Sequence, residues 1–98
     1  PVANAQQPTA QATTAPPTNA PAYAQLSSQR SPEVAQQIAN DLSARYAPLL
    51  NGVKLEVTRA DLGARGIYYR VRVPAASQAG AAQFCASVRA NGGDCVAM

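Results

Sequence analysis

The sequence predicts an α+β domain in which four strands and two helices follow one another as β-α-β-β-α-β, and three observations carry that prediction. Residues 66–73, "GIYYRVRV", alternate side chains with the two-residue period of a strand. Two segments, opening at Ser31 and at Ser77, begin with a capping residue and continue with apolar residues at helical spacing. Strand-like runs flank each of them, so helices and strands interleave along the chain.

The first strand is "YAQLSS", Tyr23 to Ser28, with Ala24 and Leu26 on one side and Tyr23, Gln25 and Ser27 on the other. Ser31-Pro32-Glu33 then starts a helix: the serine caps, proline suits the first helical position, and the carboxylate meets the positive end of the dipole. Val34, Ile38 and Leu42, with Ala35 and Ala39, form its apolar stripe, and Pro48 is expected to end it. After the turn signal Asn51-Gly52, residues 53–59 alternate with Val53, Leu55 and Val57 inward. The turn-rich run from Asp61 to Gly66 joins this strand to "GIYYRVRV", making residues 53–73 a β-hairpin that Pro74 closes. Ser77 caps a second helix with the stripe Ala81, Phe84, Cys85 and Val88; Gly80 weakens it and Asn91-Gly92-Gly93 stops it. Asp94 to Met98 is a short last strand.

This order is the split β-α-β arrangement, ferredoxin- or RNP-like: a four-stranded antiparallel sheet with both helices on one face. The other face is left open, and Tyr68, Arg70, Arg72, Lys54, Glu56 and Gln25 are expected to stand on it. Strands one and three are the central neighbours in such a sheet, which places Gln25 beside Tyr68 and Arg70. Lys54, Glu56 and Thr58 read as a solvated edge.

Composition divides the chain. Residues 1–22, "PVANAQQPTAQATTAPPTNAPA", hold no charge and no aromatic ring, and read as a disordered linker with polyproline character. Extended, such a segment reaches on the order of 75 Å at roughly 3.4 Å per residue. All the charge, 8 basic and 5 acidic residues for a net +3, falls in residues 23–98, a mild basic bias suited to anionic or neutral polar partners. The sequence shows no signal-peptide pattern and no apolar run long enough to span a bilayer; it reads as the C-terminal part of a longer protein, with any membrane segment upstream. Histidine is absent, and Cys85 and Cys95 are the two cysteines, too few for an ordinary zinc site. They are either a disulfide, which in a loop this short contributes roughly 2–3 kcal/mol, or two buried thiols acting as small hydrophobes.

"YAQLSSQRSPEVAQQIANDL" followed by "VTRADLGARGIYYRVRVPAASQAGAAQF" resembles the SPOR domain, the sporulation-related repeat of bacterial cell-envelope proteins, over essentially all of residues 23–98. The shared pattern is a Gln-Leu-small-Ser run in strand one, a Gly-rich hairpin leading into aromatic-aromatic-Arg-Val-x-Val, then Pro and a Ser before helix two. The resemblance implies a periplasmic, non-catalytic module that binds septal peptidoglycan, in particular glycan strands stripped of stem peptides, and directs its host protein to the division site. Carried over by position, Gln25 and Ser28 match the family's glycan-contacting Gln and Ser, and Tyr68, Arg70 and Arg72 match the residues of its third strand. Two departures stand out: Val73-Pro74-Ala75 replaces the common Val-Gly-Pro-Phe, and Gln29 stands where an aromatic often follows the first-strand serine.

The residues agree with a glycan platform in their own right. A tyrosine ring can carry the C–H face of a sugar, while Gln25 and the arginine forks offer fixed donors and acceptors to hydroxyl and acetamido groups. Catalysis is disfavoured, because no histidine can serve as a base and glycoside cleavage needs two carboxylates at one site. Of the acids Glu33, Asp41, Glu56, Asp61 and Asp94, Glu56 alone is placed on the open face. An RNP-like module binding single-stranded nucleic acid is the alternative on fold grounds, but the third strand lacks that family's aromatic-rich pattern. A protein-docking domain is the other. The expected partner is peptidoglycan glycan and no nucleic acid, with a monomeric chain, no cofactor and no metal.

Overall fold

Local sequence chemistry sets each element of the computed structural model, which describes the backbone of Thr14–Ala15 and residues 19–98. Strand β1 is Thr14–Ala15 and strand β2 is Ala22–Gln29. Helix α1, Pro32–Arg45, starts as expected: the Ser31 hydroxyl accepts the Val34 amide at 3.3 Å and donates to Glu33 at 3.0 Å. It ends at Arg45, and Pro48 lies in the first turn of a separate short helix α2, Ala47–Leu50, where its missing N–H costs nothing.

Strand β3, Leu55–Asp61, and strand β4, Ile67–Ala75, form the hairpin around a 3₁₀ turn at Gly63–Arg65. The Asp61 carboxylate accepts the Gly63 amide at 2.9 Å within that turn. Helix α3, Gln78–Ala90, is capped by Ser77, whose hydroxyl accepts the Gly80 amide at 3.0 Å. Gly80 thus sits in the first turn rather than mid-helix. Strand β5 is Val96–Ala97, prolonged by mutual backbone bonds between Met98 and Tyr23 of 2.7 and 3.1 Å.

The four antiparallel strands stand in the order β3-β4-β2-β5, the expected split β-α-β sheet. At its β3 edge β1 adds a parallel pairing, with Thr14 opposite Leu55 and Ala15 opposite Glu56. The rest of the expected linker before residue 19 lies outside the described residues. Both helices cover one face, where Ala24, Leu26, Ala35, Ala39, Tyr46, Leu50, Leu55, Val71, Val73 and Val88 form the core.

Two expected core positions differ. Val34 is 41% exposed because the buried stripe of α1 centres on Ala35 and Ala39, which let the helix approach the sheet closely. Val53 is 42% exposed because the strand begins two residues later, at Leu55. Small residues also fix the end of α3. A side chain at Gly93 would collide with the Tyr46 hydroxyl and Val88, so only glycine lets the backbone pass that ring.

Cys85 and Cys95 are joined in a disulfide that ties α3 to the β5 segment. A guanidinium nitrogen of Arg89 donates to the Cys95 carbonyl at 2.6 Å and holds the same segment.

Candidate functional site

The face opposite the helices is built from three rows of side chains, and a β-bulge decides which residues enter them. Cross-strand partners share a face. Gln25 lies opposite Arg72, but the register of β2 slips by one between Gln25 and Ser27. Beyond the slip, Ser27 is opposite Val71 and Ser28 is opposite Arg70. Gln25 and Ser28 are separated by an odd number of positions and in a regular strand would face opposite ways; the extra residue of the bulge puts both on the helix-free face.

Two expectations are corrected by this register. Gln25 sits beside Arg72 and Val96, not beside Tyr68 and Arg70. Ser27, expected outward, is on the core side, where its hydroxyl accepts the Gln29 amide at 2.8 Å.

The first row is Glu56, Arg72, Gln25 and Val96. Tyr23 folds onto it, with its ring 3.8 Å from the Arg72 guanidinium carbon and its hydroxyl accepting the Ala20 amide at 3.1 Å. Glu56 is 1% exposed, which corrects its placement on a solvated edge: β1 runs beside it and Arg72 lies across the ladder. The second row is Thr58, Arg70 and Ser28, with the Thr58 hydroxyl donating to the Arg70 carbonyl at 3.4 Å. The third holds Ala60 and Tyr68. Arg30, just past the end of β2, covers the Tyr68 ring with its guanidinium carbon 4.7 Å from the centroid, and donates to the phenol oxygen at 3.4 Å.

Arg30 also lies over Gly66, where an added Cβ would come within 2.8 Å of the guanidinium. Neither Arg30 nor Tyr23 was among the site residues expected from sequence. Tyr23 was readable from its outward position in strand one, whereas Arg30 follows the strand and depends on the chain's path.

Three side-chain atoms of this face are buried without a hydrogen-bond partner: Gln25 Oε1, Arg70 Nε and Arg72 Nε. An unmet buried polar atom costs about 1–3 kcal/mol, and these three fall in adjacent rows, Gln25 and Arg72 in the first and Arg70 in the second. Among the described residues no cluster of His, Cys, Asp and Glu could hold a metal ion, and no helix is long and apolar enough to cross a membrane.

The SPOR domain family profile matches residues 18–98. The chain belongs to the SPOR domain family. Neither a curated protein nor a solved structure matches it. SPOR is a binding domain rather than a catalytic one, and membership makes this a peptidoglycan-binding module of the bacterial cell envelope. The matched span begins four residues before Ala22 and takes in Ala20, the donor to Tyr23.

Proposed function

We propose that the helix-free face of this SPOR domain binds the glycan strands of septal peptidoglycan, with preference for strands whose stem peptides have been removed, and thereby directs its host protein to the division site. Gln25, Ser28, Tyr68, Arg70 and Arg72 are the proposed contacts, with Arg30 joining Tyr68. The observation that carries this reading is the trio of buried, unpartnered polar atoms on Gln25, Arg70 and Arg72. A sugar chain laid across the rows offers hydroxyl and acetamido groups to the amide and guanidinium groups these atoms belong to, and excludes water as it does so. The disulfide supports a periplasmic location, since such bonds persist in oxidising compartments. The tether expected from composition over residues 1–22 shortens to the part before β1, since Thr14–Ala15 pair with β3 and Ala22 opens β2; the membrane is met through what lies upstream alone, and the domain acts as a monomer.

Pull-down with purified sacculi, untreated and amidase-treated, beside an RNA of matched charge tests the reading. Amidase treatment is expected to increase retention on sacculi while RNA is not retained. Retention on RNA alone, or retention indifferent to the removal of stem peptides, would refute it.

A further inference from the structure

Arg70 is the cation of this face that the fold leaves without a counter-charge among the described residues. Its row partners, Thr58 and Ser28, are neutral hydroxyls, and its Nε is buried with no acceptor. Arg72, two residues along the same strand, is stacked on Tyr23 and faces Glu56 across the ladder. The row beyond Arg70 brings a second guanidinium, Arg30, over Tyr68. No acid occupies the rows of Arg70 and Tyr68: Glu33 is engaged by Ser31 and Asp61 by the Gly63 amide, while Asp41 and Asp94 lie outside those strands.

We infer that Arg70, with Arg30 beside it, is an anion subsite that reads the lactyl carboxylate of muramic acid. This rests on the glycan reading above and gives its selectivity a chemical cause. Removing a stem peptide hydrolyses the amide between the lactyl carbonyl and the first peptide nitrogen. Water supplies the hydroxyl that the carbonyl carbon gains, the nitrogen leaves on the peptide as an amine, and the sugar keeps an acid that is ionised at neutral pH. A peptide-bearing sugar therefore presents a neutral amide where a stripped one presents an anion. A guanidinium distinguishes the two, because it keeps its charge throughout the physiological pH range and pairs a carboxylate through two parallel charge-assisted hydrogen bonds, with a Coulomb attraction that a neutral amide lacks. Ser28 and Gln25 meet groups that both sugars share, so they contribute affinity without discrimination.

The test is calorimetric titration of the whole chain with three soluble oligomers of equal length: a muramic-acid glycan with free lactyl acids, the same glycan with each lactyl group as a methylamide, and a chitin oligomer lacking lactyl groups. The acid form is expected to bind about tenfold or more tightly than the methylamide, a gap that narrows as salt rises. Arg70→Gln is expected to bring the acid form down to the affinity of the methylamide and leave the methylamide unchanged, with circular dichroism confirming the fold. Arg30→Gln is expected to lower acid-form affinity alone, by a smaller factor. Equal affinity for acid and methylamide in the unmodified chain overturns the subsite and leaves the glycan reading intact. An acid preference that survives Arg70→Gln also overturns it. If none of the oligomers binds, the glycan reading falls and the subsite with it.

Discussion

Arg72 and Arg70 stand two residues apart on one strand and point the same way, yet their surroundings differ in kind. Arg72 is stacked on an aromatic ring, faces a carboxylate that is almost wholly withdrawn from solvent, and belongs to a row flanked by β1. Arg70 lies between two hydroxyls, next to a tyrosine and an arginine at the rim of the sheet. One half of the face is steadied by the protein's own ring and carboxylate, and the other carries a guanidinium with no counter-charge in its row. The lesson is that a polar sheet face is not uniform: part of it is held by internal contacts so that the remainder can be presented in a fixed shape.

The contrast breaks most visibly at Tyr23. Tyr23→Ala is expected to lower stability by about 3 kcal/mol, read from urea denaturation, because it removes a buried ring and uncovers Arg72. Tyr68→Ala, in the row of Arg30, is expected to cost no more than about 0.5–1 kcal/mol in urea denaturation while weakening retention on stripped sacculi. Equal stability losses at the two tyrosines would erase the distinction between the halves.

Reducing the Cys85–Cys95 disulfide is expected to cost roughly 2–3 kcal/mol. Its action on α3 and β5 behind and beside the sheet leaves glycan affinity of the remaining folded molecules unchanged. Glu56→Gln comes next, at about 1–2 kcal/mol, since a buried carboxylate gives up its charge beside Arg72. Arg30→Ala, like Tyr68→Ala, removes the Arg30–Tyr68 stacking and is expected to cost at most about 0.5–1 kcal/mol in a thermal melt, with a larger effect on binding than on folding.

The alternation of residues 66–73 and the two serine caps made the sheet order and the helix starts readable in advance, and the side of β4 that faces outward followed from them. The register of β2 did not. Its bulge falls in Gln-Leu-Ser-Ser, which contains no glycine to announce a break, and it arises from pairing with β4 rather than from any local preference. The burial of Glu56 is hidden from the sequence for a similar reason: it comes from neighbours distant along the chain, including a segment whose composition reads as unstructured. Cys85 and Cys95 could be named as candidates, but only their meeting in space decides between thiols and a bond. The rim cation Arg30 reaches Tyr68 across 38 positions of sequence, a contact no periodicity encodes.

The entry of β2 into the middle of the sheet bears on mechanical load. The chain upstream of Ala22 joins a strand that is hydrogen-bonded on one side to β4 and on the other to β5, with Met98 locking Tyr23 at the point of entry. A pull from upstream first meets the Thr14–Ala15 pairing with β3, and once that yields it runs along β2 and strains its ladder bonds together, in shear, rather than peeling them one at a time. A module that grips a wall by this sheet and is hauled from that end would resist at its strongest seam.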